Sequence, residues 1–330
     1  MTTTSPDTIS PRRSPDFMIA GGRRCGGTSL FYWMASHPDV HFSGAADDSF
    51  FIDDEVGGLQ WRDDQIRPGE WDRIRASQDY FAKFSECPDG RLGEKCSDLL
   101  FWNPGHARLK RYVPDIKLIL TLRDPVGRAW SHYWSEVGKD RETLDFEEAL
   151  AAEEARAARS PYGHYQLSYR ARGQYDRVLS KLYEHFSSEN VLVLILERSK
   201  ADPVAAMRRV YEFIGVDPTK GLDNAGTVFN TGWTTVPRRW TRIPGMGLVD
   251  GAYQRFLWRN VGRVIKAPND NYASNFDRRR RFSQKASWIF RRSAKTESMS
   301  EETRRRLREE YAPHVSALEE ILGQPIPEWR

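Results

Sequence analysis

Cysteine is scarce in this chain. Cys25, Cys87 and Cys96 are three in all, an odd number, with no CxxC pair and no Cys/His cluster. That excludes a disulfide framework and a structural zinc site as organising principles. Long apolar runs are also missing, so no segment reads as a membrane span. The opening residues, MTTTSPDTISPRRSPD, lack the apolar core of a signal peptide. They read as a disordered leader over 1–15, which makes the cytoplasm the expected location. Charge of one sign is not in excess, since the net charge is +4; this suits an anionic small ligand without requiring one. No internal repeat is present. What the chain does have is 330 residues, 39% hydrophobic and 29% charged. This is the composition of a globular protein with room for a sizeable core.

Three short runs read as buried strands: DFMIA (16–20), IKLILTL (116–122) and VLVLIL (191–196). Each is β-branched or leucine-rich without polar alternation, the pattern of a parallel sheet covered on both faces. Amphipathic helices separate them. Tyr175, Val178, Leu179, Leu182, Tyr183 and Phe186 recur at helical spacing over 173–186. Pro203 and Gly215 bracket a helix over about 203–214. A final helix over about 300–322 has an acidic first turn and a stripe of Leu307, Tyr311, Val315, Leu318, Ile321 and Leu322. The expected fold class is therefore α/β, a central parallel sheet flanked by helices on both faces, forming one domain over 16–330. Ligands in such folds bind at the carboxyl ends of strands. Two stretches, 43–92 and 223–299, are rich in Trp, Arg, Gly and Asp and fit no element; irregular stretches of this length point to substrate-binding loops.

At the carboxyl end of the first strand stands GGRRCGGTSL (21–30), a glycine-rich loop opening a helix. Glycines admit close backbone approach to an anion, and Thr28, Ser29 and the amides of the helix start can face phosphate oxygens. The bland alternative is a strand-to-helix turn that binds nothing. The Gly-Lys-Ser/Thr ending of an ATP loop is absent. A second segment, TLRDPVGRAWSHYW (121–134), repeats the plan: a strand ending in Arg123, a Pro-containing turn, then a helix. Arg123 is placed to grip a phosphate by paired hydrogen bonds. Its alternative is a surface arginine beside a helix-capping Asp124-Pro125 pair. Ser131 lies eight residues beyond Arg123, about two helical turns, so a helix that starts late or folds back would be needed for both to reach one phosphate.

Together the two segments resemble those of the sulfotransferases that use 3′-phosphoadenosine 5′-phosphosulfate (PAPS), in the branch that includes the heparan sulfate enzymes and bacterial relatives. The family's first loop, roughly Lys/Arg-x-Gly-Thr-Thr-x-Leu, is matched by Arg24-Cys25-Gly26-Gly27-Thr28-Ser29-Leu30, followed by His37-Pro38-Asp39-Val40. The family's 3′-phosphate motif is matched by Arg123, Pro125, Arg128, Ser131 and Tyr133. GEK (93–95), RGQYDRVLSKLYEHF (172–186), DPVAAMRRVYEFIGV (202–216) and the closing LREEYAPHVSALEEILGQPIPEW extend the likeness.

The resemblance implies a P-loop-like fold, PAPS as co-substrate, PAP (3′-phosphoadenosine 5′-phosphate) as product, and no metal. It implies that Arg24, Cys25, Gly26, Gly27, Thr28 and Ser29 cradle the 5′-phosphosulfate, with Gly27 standing where a threonine is common. Arg123 and Ser131 would hold the 3′-phosphate, and Arg292 or Lys295 would reach the adenosine or that phosphate. Arg24 occupies the place of the usual lysine and acts electrostatically, since arginine does not give up a proton near neutral pH. Cys25 reads as a small packing residue and Arg23 as solvated or at the back of the loop. Lys95 is expected beside the sulfonate or acceptor, with a solvated surface lysine as its alternative. Asp47, three residues before Phe50-Phe51, is expected to be the base, with Asp48, His41 and His132 behind it, while His37 reads as structural. The expected acceptor is a hydroxyl, less readily an amine, on a small molecule, carbohydrate or lipid. The basic run DRRRRFSQKASWIFRR (277–292) reads as a solvated helix face or an attractor for an anionic acceptor. No nucleic-acid partner is expected, because no recognised binding fold or aromatic platform accompanies it. The rivals are an ATP-using kinase and a nucleotide-binding protein without catalysis.

Overall fold

In the computed structural model, residues 13–43, 80–85, 87–138, 141–228, 235–237, 291–293 and 298–330 are described. In chain order the elements begin with β1 Phe17–Ile19, α1 Gly27–Met34, β2 Val40–Phe42, α2 Ala82–Ser85 and β3 Arg91–Lys95. There follow α3 Asn103–Tyr112, β4 Lys117–Leu122, α4 Pro125–Gly138, α5 Phe146–Arg159, α6 Pro161–Leu167 and α7 Tyr175–Tyr183. The chain continues with β5 Val191–Ile195, α8 Leu196–Ala201, α9 Pro203–Ile214, β6 Thr235–Pro237, β7 Arg291–Ser293 and α10 Glu301–Leu322. The described residues pack as two compact units. The first takes the described residues within 1–22, 34–122 and 178–223, the second those within 23–33, 123–177 and 224–330.

The first unit holds a five-stranded sheet in the order β2-β3-β1-β4-β5, parallel throughout. Consecutive residues Phe17, Met18 and Ile19, and likewise Leu118, Ile119 and Leu120, are buried. Because neighbouring side chains point to opposite faces, both faces of the sheet are covered, as the sequence pattern implied. After β1 the chain moves to β2 and β3 on one side and then crosses to β4 on the other. The reversal falls between β1 and β4, where open α/β sheets bind ligands.

Two strands of this sheet went unread in the sequence. β2 is short, and β3, RLGEK, lacks strand composition. Its polar residues are accommodated individually. The buried Glu94 accepts from Ser43 Oγ at 3.3 Å and pairs with Lys83 Nζ. Gly93 pairs with Phe17 on one side and Phe42 on the other. Those two rings meet edge to face with centroids 5.5 Å apart. A Cβ at residue 93 would lie 2.3 Å from Phe17 Cζ. Gly93→Ala is therefore expected to cost about 1–3 kcal/mol through overpacking, read as a lower urea midpoint at unchanged slope. The stretches 43–92 and 223–299 accordingly contain α2, the start of β3, β6 and β7 rather than loop alone.

The second unit is built on α4, α5 and α10. Val126, Ala129, Tyr133, Phe146, Leu150, Leu307 and Tyr311 share its core. Asp145 caps α5 in a reciprocal box with Glu148, donating and accepting at 3.1 and 2.9 Å. α10 buries Leu307, Tyr311 and Leu318 as expected, but Ile321 is 36% exposed, so the apolar stripe ends before the last turn. Among the described residues no helix is long and apolar enough to cross a membrane.

Candidate functional site

The glycine-rich segment leaves β1 and becomes helical at Gly27. Gly26 makes the turn with φ at +91°, open to glycine and strained for other residues. Its carbonyl accepts from Ser29 N at 2.9 Å and Leu30 N at 3.2 Å, which closes the first turn of α1. A helix start leaves its first backbone N–H groups without intrahelical acceptors, pointing outward with the positive end of the dipole. Thr28 and Ser29, both partly exposed, stand in this first turn.

Arg24 has φ of +70°, the left-handed value, and is the non-glycine residue among those described that adopts it. Such a conformation costs about 1–2 kcal/mol in an L-residue. Several contacts hold it. Arg24 Nε donates to Ser131 Oγ at 3.1 Å, and Arg123 Nη1 donates to the Arg24 carbonyl at 3.4 Å. Arg23 Nη1 donates to Gln166 Oε1 at 2.6 Å, and its guanidinium lies 5.2 Å from the centre of the Tyr165 ring. Arg23 is thus engaged with α6 and is not a solvated residue. Cys25 is fully buried, with Sγ 3.6 Å from the Tyr175 hydroxyl, which agrees with packing rather than reactivity.

Of the bland reading of the second segment, the structure has the helix cap but not the surface arginine. Asp124 does cap α4, accepting from Val126 N at 3.2 Å and Gly127 N at 2.9 Å. Arg123 is nevertheless only partly exposed, and its carbonyl accepts from Tyr175 OH at 2.9 Å. α4 starts at once at Pro125, neither late nor folded back. The separation between Arg123 and Ser131 is bridged instead by Arg24, whose carbonyl and Nε engage the two residues respectively. Two members of the motif are structural. Arg128 is fully buried and donates to the Tyr169 carbonyl, while Tyr133 OH donates to the Leu144 carbonyl at 3.1 Å.

Electrostatically the cluster collects like charge. Burial, then the Arg123 guanidinium, pull the Arg24 pKa below the ordinary arginine value, and Glu136 pushes it back up. Glu136 is fully buried on α4 and accepts from Arg141 Nη1 at 3.0 Å. A site that concentrates guanidinium, hydroxyl and helix-start donors suits an anion carrying several oxygens.

Lys95 ends β3 opposite Ile19 and is 5% exposed, which excludes the solvated-surface alternative. It lies in the first unit, Arg24 in the second. His132 is fully buried on α4, with Nε2 3.9 Å from Glu136 Oε1, and so is closed to an acceptor. His41 Nε2 meets the Asp89 carbonyl at 3.1 Å. His37 is buried against Asp217 O at 2.9 Å and is structural, as read. Asp47, Asp48 and Lys295 lie outside the described residues, as does the side chain of Arg292 in β7. Gln166, Arg141 and Glu136 had no motif to flag them, and Tyr175 was read only as a helix residue; its hydroxyl reaches Arg123 O and Gln166 reaches Arg23 across segments distant in sequence.

A family model described as "Sulfotransferase family" matches residues 15–220. The chain belongs to the sulfotransferase family. Among curated proteins, this sulfotransferase chain is 26% identical over 207 residues to mouse heparan sulfate glucosamine 3-O-sulfotransferase 3A1, covering 62% of the chain and 47% of the relative. It is 25% identical over 216 residues to human bifunctional heparan sulfate N-deacetylase/N-sulfotransferase 3, covering 65% and 24%. The chain spans about half the length of the first of these and a smaller share of the second. A crystal structure of a sulfotransferase from Alicyclobacillus acidocaldarius superposes with a TM-score of 0.65 at 24% identity, over 96% of this chain and 99% of that one. That likeness extends the sulfotransferase fold along the chain, with the parallel sheet and flanking helices expected from the sequence.

Proposed function

We propose that the chain transfers a sulfonate from PAPS to an acceptor hydroxyl by in-line displacement. The carrying observation is the joined pair of grips, in which Arg24 contacts Ser131 through its side chain and Arg123 through its carbonyl. PAPS, when bound, supplies an activated sulfonate on a nucleotide that also carries a 3′-phosphate. The donor set fits such a ligand: two guanidiniums, the hydroxyls of Thr28, Ser29 and Ser131, and the amides at the start of α1. In this reading Arg123 and Ser131 hold the 3′-phosphate, with Arg292 or Lys295 as a further cation there. Residues 24–29 hold the 5′ end, and Arg24 places fixed positive charge where negative charge develops on the leaving oxygen. Asp47 is the proposed base and Lys95 a second cation near the transferred group.

The acceptor class we favour is a carbohydrate, because the relatives are named for action on heparan sulfate. The second of them is named as an N-sulfotransferase, which keeps an amine as the other acceptor. Thermal-shift titration is the direct test. Stabilisation by PAP should far exceed that by AMP or ATP at equal concentration, since mass action rewards the tighter ligand. Equal responses would overturn the 3′-phosphate assignment. Transfer of labelled sulfonate from PAPS to an oligosaccharide panel then reads the acceptor.

A further inference from the structure

The loop that carries Arg24 is tied to a buried polar chain that the reaction itself does not require. Arg23 Nη1 donates to Gln166 Oε1 at 2.6 Å. The same oxygen receives Arg141 Nη1 at 3.5 Å, and that nitrogen also donates to Glu136 Oε2 at 3.0 Å. Gln166 is 5% exposed and Glu136 fully buried, so these bonds form where water competes little. Tyr165, the neighbour of Gln166, has the guanidiniums of both Arg23 and Arg172 over its ring, at 5.2 and 5.6 Å from the centroid. α6 therefore holds the Arg23 side chain by a hydrogen bond and a cation–π contact together.

Arg23 immediately precedes the one described residue outside glycine that is held in the left-handed region. A strained backbone persists only where its surroundings over-determine it. The Arg24 side chain and carbonyl are fixed from α4 and Arg123, as described above. On the amino-terminal side of the strained residue, the Arg23 side chain is anchored by its bond to Gln166 and its contact with the Tyr165 ring.

We propose that Gln166 is a positioning residue for the phosphosulfate loop: by accepting from Arg23, with Arg141 and Glu136 behind it, it keeps Arg24 left-handed and aimed at Ser131. Gln166 touches no ligand in this scheme and acts through Arg23. The proposal rests on the reading that the loop binds PAPS.

Calorimetric titration with PAP tests it. Gln166→Met keeps the length of the side chain and deletes the acceptor oxygen; it is expected to raise the PAP Kd about tenfold, the scale of one lost hydrogen bond to a charged group. Gln166→Glu, which keeps an acceptor oxygen, is expected to bind close to wild type. Arg23→Met breaks the same bond from the other side and also removes the contact with the Tyr165 ring, so its loss should be at least that of Gln166→Met. The double variant should be no worse than Arg23→Met alone, because the shared bond is already gone. Full PAP affinity in Gln166→Met, or losses that multiply in the double variant, would overturn the positioning role. Should Gln166→Met not fold, Arg23→Met and Gln166→Glu carry the comparison, and wild-type affinity in Arg23→Met overturns it equally. A wild-type protein that does not distinguish PAP from AMP instead overturns the PAPS reading, and the brace with it.

Discussion

Arg24→Ala is expected to lower kcat for sulfonate transfer by about 10²–10³-fold, the usual effect of removing one preorganised charge stabiliser. The same substitution is expected to leave the fold intact, because it deletes one part-buried side-chain hydrogen bond, to Ser131 Oγ, and no apolar core. The Arg24 φ of +70° lies where an L-residue pays and glycine does not. Arg24→Gly should therefore be as inactive as Arg24→Ala yet more stable by ~1 kcal/mol. It should be no less stable than wild type, since it also removes a partly buried cation facing Arg123. Arg24→Lys keeps the charge but loses the planar fork that serves Ser131, so activity should fall between wild type and alanine. Pairing kcat with urea unfolding across the three variants separates charge from strain. If Gly and Ala are equally stable, the left-handed conformation carries no cost; if Arg24→Ala retains its kcat, the charge assignment is wrong.

Arg123→Ala is the second large expectation. Arg123 contributes a guanidinium to the proposed 3′-phosphate grip and, through Nη1, a hydrogen bond to the Arg24 carbonyl. Charge-assisted hydrogen bonds contribute about 1.5–3 kcal/mol each. The PAP Kd should rise on the order of 10- to 150-fold, while binding of AMP, which lacks the 3′-phosphate, changes little. The preference for PAP over AMP should thus collapse. A variant that binds both nucleotides weakly to the same degree would indicate that Arg123 acts only by shaping the loop. A variant that keeps the preference would move the 3′-phosphate elsewhere.

The sequence disclosed the parts whose signal is local. β1, β4 and β5 are apolar runs, and α9 and α10 carry capping residues at their starts, Asp202 and Ser300, so their limits fall close to those read. Both motif loops likewise stand where strand ends and glycine or proline put them. β3 stayed hidden because its fitness as a strand depends on partners elsewhere. Gly93 answers to Phe17 and Phe42, and Glu94 to Lys83 and Ser43. Arg128 and Tyr133 belong to the motif as letters but serve the core as side chains, a distinction that burial alone reveals. The Arg24 link between Arg123 and Ser131 was equally out of reach, since it spans separations of about a hundred residues.

The left-handed arginine also bears on how this chain can be altered in the laboratory. Every arginine codon is a single base change from a glycine codon. A random library scored only for heat resistance will therefore sample glycine at position 24 readily and have no ground to purge it. Directed evolution of this scaffold needs an activity gate at every round, because a heat screen does not register the loss of turnover at this position.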